Sequence, residues 1–259
     1  MKINNLEIKK AAFSIGLSFI LMGCSNTKVE TASAKTIEEV VNIEIDNNET
    51  NSIRLEENNT INIDIETLEY KENSYTTSNL NLRENPNLES NVITVIDKCQ
   101  KIMEIENLDD WSYVMYGENV GYVYNEYIKS LPDNYIEVDI SDQNIKYRIG
   151  ENVIVDSNIV TGKQNVSDTR IGMFEIYSRE TARFLTGRDA YGNITYSSYV
   201  DYWMPFDGGI GLHDASWRNE FGGDIYITSG SHGCVNLPLE IAKTIYENSE
   251  VGTKVLVHK

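Results

Sequence analysis

The sequence is short of positive charge. It has 22 lysines and arginines against 40 aspartates and glutamates, so the formal net charge over 259 residues is -18. Nucleic-acid binding depends on Lys and Arg side chains that neutralise phosphates, so this balance argues strongly against a nucleic-acid partner. It also argues against adhesion to an anionic surface by charge alone. Hydrophobic residues make up 41 % of the chain, enough for packed cores, and the length fits two modest domains.

Cysteine and histidine are equally scarce, with three of each. The cysteines are Cys24, Cys99 and Cys234, and they lie too far apart for a compact zinc pattern. Three is also an odd number, which does not favour a disulfide framework. Internal repeats and the glycine pattern of dinucleotide-binding proteins are absent as well.

Long hydrophobic runs are missing except near the N-terminus. Residues 11–22 form an apolar run of twelve positions after a lysine-bearing segment, too short to span a bilayer but typical of a signal peptide. The run ends Leu21-Met22-Gly23-Cys24, which resembles the lipobox of bacterial lipoproteins. That resemblance implies a signal peptide over 1–23, a lipid on Cys24 and anchoring to the outer face of the cell membrane, facing the cell wall. An ordinary cleaved signal peptide is the alternative.

Two segments follow the signal peptide. Residues 24–73 are acidic and poor in large apolar groups, which predicts a flexible tether, although 60–66 alternates like a strand. Residues 74–132 hold five short β-type runs separated by turn residues, which predict a small β barrel. The stretches 80–83, 110–114 and 121–123 resemble a bacterial SH3-like domain, and this implies a targeting or spacing role at the wall. Cys99 follows one strand in a polar turn and is predicted to be structurally incidental.

Residues 134–259 predict a second, mostly β domain. One helix is predicted, with Pro238 at its first position and a final strand after it. Its apolar face consists of Ile241, Ala242, Ile245 and Tyr246.

The stretch Ser231-His232-Gly233-Cys234 raises the question of a nucleophile. A free thiol is only a few per cent thiolate at neutral pH, so a nucleophilic cysteine needs a base and donors for the oxyanion. Gly233 allows a sharp turn that presents Cys234, and the N–H groups of both residues are expected oxyanion donors.

Three histidines compete for the role of base. His213 lies in a glycine-flanked apolar run that predicts the end of a strand. His232 is adjacent in sequence to the turn, whereas His258 is penultimate and predicted to lie in a tail. Both His213 and His232 therefore remain candidates.

The spacing from His213 to Ser231-His232-Gly233-Cys234-Val235-Asn236 resembles the signature of the L,D-transpeptidases, the YkuD-type family. The resemblance implies that Cys234 forms a thioester and that His213 accepts its proton. The Asp214 carbonyl would orient His213. No cofactor or metal is implied.

The same resemblance assigns supporting residues and a substrate. His232, Gly233 and Cys234 would line the oxyanion hole. The candidates for binding the substrate or supporting the site by hydrogen bonds are Ser231, Asn236, Trp217 and Tyr202. The implied partners are peptidoglycan stem peptides, with the protein acting as a monomer and cross-linking third residues. Carbapenems would acylate Cys234.

The predicted fold is mostly β: a small SH3-like β barrel, then a β-rich YkuD-type sandwich domain over 134–259 with a short C-terminal helix. Two other functions stay open. Water could replace the acceptor amine, which would make the protein an L,D-carboxypeptidase. Alternatively, the chain could be a wall-binding lipoprotein without catalysis, although intact Cys234, His213 and Gly233 speak against this.

Overall fold

The structure, a computed structural model, describes residues 71–259. The predicted signal peptide (1–23), the predicted lipidation site Cys24 and most of the predicted tether (24–73) lie outside the described residues. Among residues 71–259, no helix is both long enough and apolar enough to cross a membrane.

Seven short strands form the first domain. They are β1 (Ser74–Thr76), β2 (Leu80–Arg83), β3 (Val92–Ile96), β4 (Lys101–Leu108), β5 (Trp111–Tyr116), β6 (Asn119–Tyr124) and β7 (Ile128–Ser130). They pair in the order β3-β2-β6-β5-β4-β1-β7. Alternate residues of the strands, such as Leu80 and Leu82, are buried in one core with Ile102 and Val114. The strand-rich domain is confirmed, but its sheet ends at β3 and β7 instead of closing into the predicted barrel.

The second domain contains two sheets and two helices. Its strands are β8 (Asn134–Asp139), β9 (Asn144–Ile149), β10 (Asn152–Asn158), β11 (Gly172–Glu175), β12 (Glu180–Arg188), β13 (Ile194–Asp207), β14 (Ile210–Asp214), β15 (Val235–Leu237) and β16 (Lys254–His258). The helices are α1 (Ile225–Ser229) and α2 (Leu239–Asn248). One sheet has the order β10-β9-β8-β16-β11 and the other β12-β13-β14-β15.

The two sheets share one apolar core, closed by α2. Buried aliphatic residues come from the five-stranded sheet, the four-stranded sheet and the helix: Ile136, Val138, Val255, Val257, Leu212, Val235, Leu237, Ala242 and Ile245. The predicted apolar face of α2 is confirmed, since Ile241 and Tyr246 pack against the margin of this core. The helix begins at Leu239, one residue after Pro238. The prediction of a single helix is wrong, because α1 precedes the Ser231–Cys234 turn.

The junction between the two domains buries a residue that its sequence context places in a polar turn. Cys99 does lie in a turn, with φ +64. Its side chain, however, is only 1 % exposed and packs with Tyr75, Tyr135 and Leu256. Because Tyr75 belongs to the first domain and Tyr135 and Leu256 to the second, Cys99 contributes to the contact between them.

A buried carboxylate forms the polar part of this junction. Glu137 lies 2.9 Å from Lys101 Nζ of the first domain, 3.1 Å from His258 Nε2 and 3.5 Å from Arg148 Nε. The prediction that His258 lies in a tail is wrong, because β16 pairs with β8 and buries it. Burial alone would raise the pKa of Glu137, but hydrogen bonds from His258 and Lys101 lower it to about 2.

The stability of the protein should therefore depend on pH through Glu137. A carboxylate with a depressed folded-state pKa stabilises the fold above its unfolded pKa of about 4.3, and this contribution disappears as the pH falls toward 2. The free energy involved is up to about 3 kcal/mol. In urea unfolding, Glu137→Gln should lower stability at neutral pH and flatten the loss of stability between about pH 4.5 and about pH 2.

Glu175→Gln is the matched control, because Glu175 pairs with Lys254 on the surface, where an ion pair contributes little. An unchanged acid dependence in Glu137→Gln would contradict the prediction.

Candidate active site

Two parallel strands bring the candidate residues together. The register of β14 and β15 pairs Leu212 with Val235 and His213 with Asn236. Because alternate residues of an extended chain share a face, His213, Asn236 and Cys234 project toward one side. Leu212 and Val235 point the other way, into the core.

Glycine is required where β14 passes close to β13. A Cβ added at Gly211 would lie 2.7 Å from the carbonyl oxygen of Met204. No side chain could be accommodated there without moving the backbone. This close backbone approach explains the glycine two residues before His213.

The turn before β15 is held by side-chain hydrogen bonds. Gly233 has φ +117, which favours glycine, as the sequence predicts. Ser231 Oγ accepts the Gly233 N–H at 3.0 Å and donates to the Cys234 carbonyl at 2.5 Å. From a neighbouring loop, Thr169 Oγ1 donates to the Gly233 carbonyl at 2.8 Å and Ser167 Oγ to the Ser231 carbonyl at 2.7 Å.

These bonds change the expected oxyanion hole. The Gly233 N–H already has a partner in Ser231, so it is not a free donor. Within residues 71–259, no hydrogen-bond partner is seen for the N–H groups of His232 and Cys234. The side chain of Ser231 is buried and holds the turn together. The sequence instead suggests that Ser231 contacts the substrate.

The thiol of Cys234 is partly exposed and lies beside the glycines that precede His213. Its Sγ is 3.8 Å from the Gly209 carbonyl oxygen. Burial raises the pKa of the thiol to about 11, although a backbone hydrogen bond from Gly211 acts in the opposite direction. Cys234 is therefore protonated at neutral pH, and its reaction needs a base.

His213 is buried and hydrogen-bonded through both ring nitrogens. Nδ1 lies 2.7 Å from the Asp214 carbonyl oxygen and Nε2 lies 3.0 Å from Asn236 Nδ2. Since a carbonyl only accepts, Nδ1 carries the proton and Nε2 a lone pair. Burial lowers the pKa of His213, so the ring is neutral at neutral pH. The Asp214 carboxylate turns elsewhere and accepts the Tyr202 N–H at 2.8 Å.

Arg218 is part of the site, although no motif in the sequence predicts it. Its Nε donates to Asn236 Oδ1 at 2.8 Å, and its side chain is partly buried. Asn236 therefore bridges Arg218 and His213.

Aromatic rings flank His213, but not all the predicted ones. The rings of Trp203 and Trp217 lie 5.8 and 5.9 Å from the imidazole, and Trp217 is 49 % exposed. Trp217 thus lies where a substrate could contact it. Tyr202 is on the other face of β13 and packs 5.2 Å from Tyr246, away from His213. Trp203, which lies beside His213, is only 5 % exposed.

The His232 ring is engaged in a stack. It lies parallel to Tyr196 of β13, with 4.4 Å between the ring centroids and 5° between the planes. Among the described residues, no hydrogen bond links Cys234 to His232 or to His213 in this resting state. Tyr196 in turn covers Gly187, where an added Cβ would lie 2.1 Å from the ring.

The turn at Gly233 allows a direct test. In Gly233→Ala the new Cβ would lie 3.0 Å from Ile210 Cδ1, and the alanine would have to adopt φ +117. The turn must therefore shift. A left-handed conformation costs about 1–2 kcal/mol, and a shift of the nucleophile by about 1 Å costs about 100-fold in rate. We expect the rate at which Cys234 reacts with an electrophile, measured as alkylation by iodoacetamide, to fall by about that factor.

Gly252→Ala is the control, because Gly252 has φ +97 with no atom near its added Cβ. It should lose similar stability and keep the alkylation rate of the wild-type protein. Equal alkylation rates in the two variants would contradict a positioning role for Gly233.

Sequence comparison identifies both domains. Residues 133–257 match the family model for the L,D-transpeptidase catalytic domain, and residues 78–129 match the bacterial SH3 domain. The NMR structure of the catalytic domain of an Enterococcus faecium L,D-transpeptidase is 40 % identical, over 49 % of this chain and 98 % of that chain, with a TM-score of 0.45. The chain belongs to the L,D-transpeptidase family.

Other solved structures of L,D-transpeptidases match at lower identity. A crystal structure of an Enterococcus faecium L,D-transpeptidase is 26 % identical, over 71 % of this chain and 76 % of that chain, with a TM-score of 0.47. An L,D-transpeptidase from Mycobacterium smegmatis is 18 % identical, over 64 % and 72 %, with a TM-score of 0.42. No match was found among curated proteins.

The described part of this L,D-transpeptidase offers no grouping of three or more His, Cys, Asp or Glu side chains that could hold a metal ion. Both cysteines in that part, Cys99 and Cys234, are free thiols.

Proposed function

We propose that this L,D-transpeptidase cross-links peptidoglycan stem peptides through a thioester on Cys234. One observation carries the proposal: Cys234 immediately precedes β15, the strand that places Asn236 against His213, and His213 is a neutral base whose Nδ1 is held by the Asp214 carbonyl. A protonated thiol needs such a base. The family acts on peptidoglycan peptides, which supports the choice of substrate.

In the acylation half-reaction, His213 Nε2 accepts the Sγ proton. The sulfur attacks the carbonyl between the third residue of a stem tetrapeptide and its terminal D-alanine. The C–N bond breaks, and D-alanine leaves with the proton returned by His213. The N–H groups of His232 and Cys234 stabilise the oxyanion.

In the second half-reaction, the side-chain amine of a diamino acid on another stem attacks the thioester. His213 takes the amine proton, the C–S bond breaks, and the proton returns to Cys234. One amide bond replaces another, so no cofactor enters the balance. Trp217 lies where it could contact a stem peptide during either step.

Cys234 is also the proposed site at which carbapenems react with this protein. The Enterococcus faecium catalytic domain with 40 % identity has also been determined acylated by ertapenem. We propose that a carbapenem acylates Cys234 by opening its lactam ring, which leaves no departing group.

The proposed location is the outer face of the cell membrane. The lipobox-like stretch ending at Cys24 and the acidic segment after it support this placement, with the SH3-like domain serving as a wall-targeting or spacing module. Acid hydrolysis and lipid analysis of the mature N-terminus tests it: the absence of acyl chains would contradict anchoring.

The function is tested by incubating the protein with purified tetrapeptide muropeptides and analysing the products by mass spectrometry. We expect a dimeric muropeptide with loss of D-alanine. Tripeptide monomer alone would replace the proposal with an L,D-carboxypeptidase that uses water. If neither product nor a carbapenem adduct forms on folded protein, a wall-binding lipoprotein without catalysis would be the better interpretation.

A further inference from the structure

The hydrogen bonds around His213 form one continuous chain with a fixed direction. Arg218 Nε donates to Asn236 Oδ1, Asn236 Nδ2 donates to His213 Nε2, and His213 Nδ1 donates to the Asp214 carbonyl. A guanidinium has only donors and a backbone carbonyl only acceptors. The two ends of the chain therefore determine every proton between them.

This direction opposes a proton on His213 Nε2. With the amide in its present orientation, an Nε2–H would face the N–H of Asn236, so two donors would meet. If the Asn236 amide rotated, its NH2 group would face the Arg218 guanidinium, and two donors would meet there instead. Either arrangement leaves donors without acceptors in a buried site, which is costly.

We propose that Arg218 is a positioning residue that, by fixing the Asn236 amide, holds the resting His213 ring neutral with its lone pair on Nε2. This inference deepens the proposed function and rests on it only for the role of His213 as the base. In the resting enzyme Arg218 thus disfavours a thiolate–imidazolium pair, so the thiol is protected from other electrophiles until the Asn236–His213 bond yields.

The other charged and titratable groups around the ring are few. Asp214 on β14 favours the protonated ring, whereas Arg218 disfavours it. Cys234 precedes β15 and lies on the same face as His213. Tyr196 of β13 lies near Cys234, and its ring stacks on His232. The rings of Trp203 and Trp217 that flank His213 carry no charge. A change at Arg218 could therefore act in two ways, through Asn236 or through its charge alone.

A double-mutant cycle separates these two routes. The full chain, labelled with 15N at its three histidines, is titrated from about pH 4 to about pH 9 for wild type, Arg218→Met, Asn236→Ala and the double variant. The ring nitrogen shifts report the tautomer and the pKa of each histidine. The His213→Gln variant identifies the His213 signals.

Arg218→Met should raise the pKa of His213 by about one pH unit, the usual effect of one hydrogen bond on a protonation equilibrium. In the Asn236→Ala background the same change should have little further effect. Arg218→Lys should restore part of the wild-type value. Arg183→Met, which removes a positive charge paired with Glu180 on the same domain, should leave His213 unchanged.

Two results would overturn the proposal. One is an unchanged pKa of His213 in Arg218→Met. The other is an equal rise with and without Asn236, which would show that only the charge of Arg218 matters. If Arg218→Met does not fold, as judged by its amide spectrum, Arg218→Leu, which also lacks a donor, takes its place in the cycle.

This titration needs no peptidoglycan substrate. A failure to form cross-links would therefore leave the result on Arg218 intact, and the absence of coupling would leave the proposed reaction intact. The two inferences fail separately.

Discussion

Cys234→Ala should give a folded protein that gains no mass when it is incubated with a carbapenem or with tetrapeptide muropeptides. The wild-type protein should gain one acyl group per chain. Acyl-enzyme formation should fall by at least about 10³-fold, because no other group replaces a covalent nucleophile. The fold should survive, since the Ser231 bond in this turn goes to the Cys234 main chain and not to its sulfur.

Cys99→Ala is the matched control for this experiment. Cys99 is the other free thiol of the described chain and is more deeply buried, at the junction between the domains. Its removal leaves a small cavity and lowers the midpoint of thermal unfolding, with acylation unchanged. An adduct mapped to Cys99, or one that persists in Cys234→Ala, would refute Cys234 as the nucleophile.

Some of the strands that the sequence predicted correctly have one buried and one more solvated face, whereas β5, β8 and β16 are buried on both faces. In β2 and β9 the alternation of burial follows the alternation of residue type, which gives a visible period of two. The hairpin of β12 and β13 lacks this signal, because most of its residues over 181–199 are exposed or half-buried on both faces. The helix α1 has only five residues and buries none of them, so it has no apolar face to detect.

In the site, the sequence likewise predicts some contacts and misses others. The bond from His213 to the Asp214 carbonyl is local, and the family signature implies it. The roles of Arg218 and Trp203 depend on how separate elements pack, and spacing in one sequence does not record that. The pairing of Glu137 with His258 spans 121 positions and depends on the parallel register of β8 and β16. The position of His258 next to the end of the sequence therefore led to the wrong prediction that it lies in a tail.

His213→Ala tests which histidine is the base. Loss of a general base lowers the rate by about 10²–10⁴-fold, so acylation of Cys234 at neutral pH should fall by that amount. His232→Ala should have a much smaller effect, because the exposed His232 ring stacks on Tyr196 and does not contact the thiol. The measurement is the rate of carbapenem adduct formation by mass spectrometry.

The pH dependence makes this test independent of general damage to the site. In the wild type, the rate should be flat from above the lowered pKa of His213 up to the pKa of Cys234 near 11, because His213 is neutral and the thiol protonated throughout. Without His213, only the spontaneously formed thiolate reacts, so the rate should rise about tenfold per pH unit over the same range. The deficit of His213→Ala therefore shrinks as the pH rises. A flat profile in His213→Ala together with a sloping one in His232→Ala would assign the base to His232.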